Sequence, residues 1–316
     1  MAWLYNRTMK TIFGLENYPK EKASVVTVGT FDGVHIGHQT IIKRLVDTAK
    51  SANKTSVLLT FYPHPRMVLQ SNMPMRLIQT IEERKAALAQ TGLDVLVIHP
   101  FTESFSRMDA EQYVKEVLVG QLNVHKIVMG YDHRFGRNRN ANIDDMQDFG
   151  AIYDFEIEEI SATEIEAIAV SSTKIRNAIS EGNMKKATRF LGRNFELSGE
   201  VIHGEKRGRL LQFPTANIDL KNAHKILPKN GVYLVKSTLN GQQVFGMMNI
   251  GDKPTFETKK RSIEVYFFDW SGDLYGQHIC VEVLERVRDE QKFDSAEKLQ
   301  AQIQADETHC RSIIDK

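Results

Sequence analysis

An α/β fold on a parallel sheet, followed by a smaller antiparallel β-barrel or sandwich, is the architecture this sequence predicts. Three observations predict it. Over roughly the first 190 residues β-branched strands alternate with amphipathic helices, beyond that point Gly-punctuated strands follow one another directly, and 316 residues suit two cores better than one.

From Ser24 to Thr30 the run SVVTVGT is β-branched and apolar, and after a glycine-bearing turn Ile41, Ile42, Leu45, Val46 and Ala49 recur at helical spacing. The pattern returns as strand Ser56 to Phe61, helix Thr80 to Gln90, strand Val95 to His99, helix Ala110 to Leu118 and strand Lys126 to Gly130. Such a doubly wound sheet gathers ligands at the carboxyl ends of its strands. In the second part strands are expected at Glu196 to His203, Gly231 to Thr238, Val244 to Ile250, Arg261 to Phe268 and Gln277 to Val287. The chain then closes with a helix capped by Asp294, with Glu297 three residues on, that turns Leu299, Ile303, Cys310 and Ile313 or Ile314 inward. The linker is expected at Glu181 to Asn194, where Gly182 ends one helix and Gly192 precedes the first barrel strand, which sets domains at 1–184 and 185–316.

At 41% hydrophobic and 26% charged the composition is that of an ordinary globular protein. Lys and Arg number 41 against 40 Asp and Glu, so the net charge of +1 lacks the field that non-specific nucleic-acid or membrane-surface binding needs. Cys280 and Cys310 are too few for a disulfide framework or a zinc cluster and fit a reducing cytosol. With no spanning apolar run and no signal-peptide pattern in Met1 to Lys10, a soluble cytoplasmic protein is expected.

The stretch richest in chemistry is Gly29-Thr30-Phe31-Asp32-Gly33-Val34-His35-Ile36-Gly37-His38, between a buried strand and a helix start. A helix N-terminus offers free N–H groups and the positive end of a dipole, so phosphates belong there. Gly37 would let a triphosphate approach the backbone, while His35 and His38 would donate hydrogen bonds to the α-phosphate and to the leaving pyrophosphate as charge builds. Gly29, Phe31 and Asp32 lie in the same loop and are candidate ATP contacts. Two histidines in a loop are often plain surface residues; the strand, loop, helix context favours function. A zinc reading of the pair lacks partners at ligand spacing.

In Val170-Ser171-Ser172-Thr173-Lys174-Ile175-Arg176 a hydroxyl N-cap precedes a helix. Simple capping explains it, yet Ser172, Thr173, Lys174 and Arg176 also crowd donors into one turn of a second helix N-terminus, a second suitable clamp for the same triphosphate. Gly130 to Arg139, with Asp132, Arg134 and Phe135, follows a strand directly and is either a wall for the second substrate or a solvated basic loop. Phe61-Tyr62-Pro63-His64-Pro65 stands in the equivalent place, where His64 either meets that substrate or only caps a turn.

In the second half a glycine-flanked basic loop, with Gly204, Lys206 and Gly208, leads into Phe213-Pro214-Thr215-Ala216-Asn217. The loop could wrap phosphates, and the Thr215 hydroxyl and Asn217 amide oxygen are hard ligands that Mg²⁺ accepts beside water and nucleotide oxygens. By spacing alone a turn with charged tips fits as well. Glu264 stands on the strand face opposite Ile263, Val265 and Phe267, either as a solvent-side carboxylate or as a general base.

Together these motifs resemble the bacterial bifunctional riboflavin kinase and FAD synthetase family. The resemblance runs from about Ser24 to Arg311 through GTFDGVHIGH, TFYPHP, GYDHRFG, SSTKIR, HGEKRGR, FPTANI, GVY, NIGDKPTF, IEVYFFD, DLYGQ and RDEQKF in order. It implies a Rossmann-like FMN adenylyltransferase domain, then a small closed β-barrel riboflavin kinase with a C-terminal helix. It further implies that His35 and His38 meet the ATP phosphates with Ser172 and Arg176 in the second clamp. His64, Asp132, Arg134 and Phe135 then belong to the flavin side. Thr215 and Asn217 hold Mg-ATP in the kinase half, and Glu264 is the base that activates the ribityl 5′-hydroxyl. One departure is Ala141, at a place where many relatives have glycine, which bears on the shape of the FMN-side loop.

The expected function is therefore riboflavin to FMN with release of ADP, then FMN to FAD with release of pyrophosphate, with Mg²⁺ serving both steps. The expected partners are riboflavin, FMN and ATP, with no nucleic acid and no membrane, in a monomer or weakly self-associating chain. Three rivals stand beside it: a single-activity enzyme whose other half only binds flavin, a flavin-responsive regulatory module, and a nucleic-acid-binding protein. The last is suggested by the His-x-Gly-His element of aminoacyl-tRNA synthetases, but their Lys-Met-Ser-Lys-Ser-like loop and large tRNA-binding regions are not seen in this sequence.

Overall fold

A computed structural model describes residues 8–70, 75–131, 133–161, 170–204, 213–254 and 259–315. The chain divides into two units, Met1–Ser172 and Thr173–Lys316.

The first unit is built on β1 (Lys10–Phe13), β2 (Ser24–Val28), β3 (Thr55–Phe61), β4 (Val95–His99), β5 (Val124–Gly130) and β6 (Glu156–Ile160). They form one parallel sheet in the order β1-β4-β3-β2-β5-β6. Alternate residues of the strands serve two cores. Val25, Leu58, Leu96 and Val128 pack with Ile42, Leu45 and Ala49 of the helix Ile36–Ser51 and Leu88 of the helix Ile81–Ala89. Val26, Leu59, Val97 and Ile127 face the other way, onto Val114, Val117 and Leu118 and onto Met146 of the helix Ile143–Tyr153. Burial on both faces is why the central strands read as unbroken apolar runs rather than alternating ones. From β2 the chain steps outward to β3 and β4 on one side and later to β5 and β6 on the other. The crevice beyond the carboxyl ends of β2 and β5 is the switch point where such sheets bind ligands.

The expected strand Ser24 to Thr30 stops at Val28, and its last residues open the loop. The helix expected over Ala110 to Leu118 runs to Val119, with a wide π-helical turn over Tyr113–Val119 closed by Gly120 N–H donating to the Lys115 carbonyl at 2.9 Å. β1 and β6 are edge strands, and β6 carries Glu156, Glu158 and Glu159, so neither has the apolar signature of the centre.

In the second unit β7 (Phe195–Ile202), β8 (Ala216–Asp219), β9 (Gly231–Leu239), β10 (Gln242–Pro254), β11 (Lys259–Phe267) and β12 (His278–Arg288) close into an antiparallel barrel in the order β10-β11-β8-β7-β12-β9. The choice between barrel and sandwich is thus settled as a barrel. β8 has four residues and lay below the length at which the sequence signals a strand. The outer face of the barrel meets the C-terminal helix Ala296–Ile314: Val232, Leu234, Met247 and Phe268 pack with Ile303, Cys310, Ile313 and Ile314.

Two expectations are corrected here. The segment 181–194 is not a plain linker, because Met184, Ala187 and Leu191 bury one side of a helix, Met184–Leu191, that its lysines and arginine concealed. The C-terminal helix is capped by Ser295, whose Oγ accepts the Lys298 N–H at 3.3 Å; Asp294, one residue earlier, instead pairs with the Lys298 ammonium at 3.2 Å. The helix is also clasped by charge. Arg288 grips the buried Asp306 through Nε and Nη2 at 2.7–2.9 Å, and Arg311 bridges Glu307 and Asp269.

Candidate active sites

Residues 29–35 cross the carboxyl edge of the sheet between β2 and the helix Ile36–Ser51. Their backbone is strained: φ is +46° at Phe31, +92° at Gly33 and +40° at Val34. For the two non-glycine residues this costs about 1–2 kcal/mol each. The turn is held by Val34 N–H donating to the Phe31 carbonyl at 3.1 Å, and by the Asp32 carboxylate, which accepts the Ile78 and Gln79 N–H groups at 3.1 Å. Ser172 Oγ donates to the Asp32 carbonyl at 3.0 Å. Asp32 is fully buried and Phe31 nearly so, which places both inside the loop they shape.

His35 is the N-cap of the helix, its Nδ1 accepting the His38 N–H at 3.3 Å. A nitrogen that accepts carries no proton, so the proton of the neutral ring sits on Nε2, as a donor. The His35 and His38 rings stack with centroids 3.6 Å apart and planes 18° apart, and Phe31 lies 4.9 Å from His38. A β-carbon at Gly37 would stand 3.3 Å from the His35 imidazole, so glycine there keeps room for the ring as well as for an approaching phosphate.

The other expected residues are found as follows. Ser172 begins the helix Ser172–Ser180, with Thr173 and Arg176 in its opening turns and Ile175, Ala178 and Ile179 buried. His64 is buried and caps the short helix Pro65–Leu69, accepting the Arg66 N–H at 3.1 Å. Beyond β5, Phe135 is a core residue 6.0 Å from the Tyr113 ring, while Arg134, Arg137 and Arg139 are exposed. Phe135 and Ala141 exchange backbone hydrogen bonds at 3.1 and 3.3 Å, and Ala141 is buried, so its methyl group is accommodated and the loop stays closed. Asp132 lies outside the described residues.

In the barrel, register assembles the second candidate site. Asn217 on β8 stands opposite Glu264 on β11, and Glu264 stands opposite Asn249 on β10. Directly opposed residues share a face, and this face is opposite to the buried Ile263 and Val265 and is continued by Met247 and Tyr266, beside the C-terminal helix. Thr215 lies two residues before Asn217. A side chain at Gly204 would overlap the Asn217 amide, so the backbone there closes directly onto it. Lys206 and Gly208 lie outside the described residues. Asn249 was not anticipated, and neither was the aromatic group of Tyr266 with Phe213 at 5.2 Å and Phe268 at 5.8 Å. Burial raises the pKa of the Tyr266 hydroxyl. Register alone could have found Asn249. Among the described residues no group of three or more His, Cys, Asp or Glu is arranged to hold a metal. Hydroxyl and amide oxygens at Thr215 and Asn217 suit a hard cation that keeps water and phosphate oxygens as its other ligands.

Comparison with known proteins matches residues 17–174 to the family described as FAD synthetase and residues 191–314 to the family described as riboflavin kinase. A bifunctional riboflavin kinase/FMN adenylyltransferase of Buchnera aphidicola from Schizaphis graminum is 39% identical over 94% of this chain and 96% of its own. The protein of the same description from Escherichia coli K12 is 33% identical over 97% of this chain and 98% of its own. A solved structure from Streptococcus pneumoniae, described as a macrolide-efflux protein, is 32% identical, covers 96% of this chain and 99% of its own, and superposes with a TM-score of 0.88. No helix among the described residues here is long and apolar enough to cross a membrane.

Proposed function

The chain belongs to the family of bifunctional riboflavin kinase/FMN adenylyltransferases, and from that premise we propose which of its residues carry each reaction. The protein phosphorylates riboflavin to FMN with ATP and adenylylates FMN to FAD with ATP, releasing pyrophosphate.

In adenylyl transfer a phosphate oxygen of FMN attacks the α-phosphorus of ATP as the bond to pyrophosphate breaks. His35 Nε2–H and His38 donate to the α-phosphate and to the departing pyrophosphate, and the free N–H groups of the helix start receive the charge. The single observation that carries this reading is the capping bond: with Nδ1 of His35 engaged by the His38 N–H, the ring presents a proton donor on its other side. Ser172, Thr173 and Arg176 form the second clamp, and the loop of Arg134 lies on the flavin side, as does the turn capped by His64.

In the barrel Glu264 accepts the proton of the ribityl 5′-hydroxyl as that oxygen attacks the γ-phosphorus of ATP. Thr215 and Asn217 would supply oxygen ligands for Mg²⁺, whose charge would offset that of the phosphates. Gly204, Lys206 and Gly208 are the residues we assign to phosphate contacts. The cytoplasm is the proposed location, supported by a cysteine count of two, too few for a disulfide framework.

Chromatography of the flavins made from riboflavin and Mg-ATP tests the scheme. The protein should yield FMN and then FAD. His38→Ala should stop at FMN, with FAD formation lower by about 10²–10³-fold. Equal loss of both products, or FAD at the original rate, would remove His38 from its role.

A further inference from the structure

We infer that Arg84 is a positioning residue for adenylyl transfer: its buried guanidinium fixes Asp32, and through it the strained turn that aims His35 and His38. The inference rests on the assignment of that loop to ATP. Arg84 projects from the helix Ile81–Ala89 and is 1% exposed, against an Asp32 that is 0% exposed. Arginine is almost never fully buried without a partner, and a buried ion pair is seldom retained for stability alone, since apolar replacements often do as well.

What the pair touches is the turn. Arg84 Nη2 lies 3.7 Å from Asp32 Oδ1, and Nη1 donates to Thr60 Oγ1 at 3.5 Å. Thr60 in turn donates to the Thr30 carbonyl at 3.2 Å. The loop is thus gripped at Thr30 through Thr60 and at Asp32 through its side chain, while the Ile78 and Gln79 amides fix the carboxylate from beyond. Those amides are themselves immobilised, because Thr80 and Glu83 form a capping box and Gln79 Nε2 donates to the Glu83 carbonyl at 3.3 Å.

Left-handed backbone at Phe31 and Val34 persists only where surrounding contacts over-determine it. Val34 directly precedes His35, so relaxation of the turn moves the cap, and both imidazoles with it. Charge gives Arg84 a second duty. Asp32 is the one carboxylate between Gly29 and His38, and without a countercharge it would oppose a triphosphate at the helix start.

The test uses the full chain with Arg84→Met, which keeps the volume and removes the charge. The kcat for FAD from FMN and ATP should fall about 10²-fold, as expected of a misplacement near 1 Å, with the KM for ATP changed less than about threefold. Riboflavin phosphorylation by the same protein should be unchanged. Amide exchange of residues 30–38, measured without ATP, should quicken about tenfold or more, a readout that does not depend on the loop's assignment to ATP. Asp32→Asn/Arg84→Met removes both buried charges and guards against misfolding of the single variant; its kcat should stay low, because the amide cannot accept both backbone N–H groups. FAD kcat within threefold of the original in either variant overturns the inference, as does unchanged exchange. If the original protein makes no FAD while Arg84→Met still loosens residues 30–38, the site assignment falls and the holding role of Arg84 stands.

Discussion

His35 caps a helix and, in the proposed reaction, also donates to phosphate, two tasks that substitution can separate. The residue is 6% exposed, and its ring accepts the His38 N–H as N-cap and stacks on His38 at 3.6 Å. Loss of a cap costs about 1 kcal/mol, and loss of a stacked ring pair about 0.5–1.5 kcal/mol. His35→Ala should therefore destabilise the first unit by about 2 kcal/mol, which for a unit of this size lowers its unfolding midpoint by about 4–8 °C. Asparagine is among the best N-caps, and its side-chain oxygen can take the same N–H of the third helical residue. His35→Asn should recover about half of the lost stability. It cannot recover the donor on Nε2, so FAD formation should stay about 10²–10³-fold low in both variants while FMN formation persists. Calorimetry beside flavin chromatography reads both quantities. If His35→Asn makes FAD at nearly the original rate, His35 is a helix cap and nothing more.

Three further outcomes are expected. Glu264→Gln keeps the shape between Asn217 and Asn249 and loses the basicity, so FMN formation should fall by about 10²–10⁴-fold while supplied FMN still becomes FAD; a silent substitution in a kinase assay would make Glu264 an ordinary strand carboxylate. Asn217→Ala should weaken the use of Mg-ATP in the kinase step alone, since a methyl group supplies no oxygen ligand; unchanged FMN production at limiting Mg²⁺ would remove Asn217 from the site. His99 accepts the Leu15 N–H at 3.2 Å and burial lowers its pKa, outweighing the opposing charge of Glu16. The unfolded chain then takes up a proton near pH ~6.5 that the folded one refuses, so this contribution is present above that pH and is lost on acidification. His99→Gln should flatten the fall of the unfolding midpoint between about pH 7 and pH 5.5; an undiminished slope would exclude His99 as its source.

The parts of the fold that were legible are those where one local rule governs. β2 to β5 are buried on both faces, and Val25 to Val28 or Val95 to Ile98 leave no other reading. The Thr80–Glu83 capping box is written in four consecutive residues. Edge strands failed because one side of β6 needs charge, and Met184–Leu191 failed because its apolar side is three residues among lysines and arginine. At the candidate sites the histidines drew notice from their strand, loop, helix context, whereas Glu264 read as an ordinary strand carboxylate until the family resemblance suggested a base. Arg84, Thr60 and Asn249 could not, since each matters through partners distant in sequence: Arg84 through Asp32, Asn249 through the β10–β11 register.

On the proposed assignments, the difference between the two sites matches the nucleophile each would handle. FMN brings a phosphate whose second ionisation lies near pH ~6, so at neutral pH it is already an anion and needs no base. A site for it should offer donors and should hide any carboxylate, and the Gly29–His38 loop does so: two imidazoles cap and flank a helix N-terminus, and Asp32 is buried against Arg84 and two backbone amides. Riboflavin brings a primary alcohol, which must lose its proton as phosphoryl transfer proceeds. The barrel accordingly sets a carboxylate, Glu264, in the middle of a cross-strand row whose outer members are neutral amides. An uncompensated carboxylate in the first loop would repel the attacking phosphate, whereas in the second a carboxylate can accept the alcohol proton as it is lost. That complementarity gives a physical reason for one chain to keep the two chemistries on two separate scaffolds.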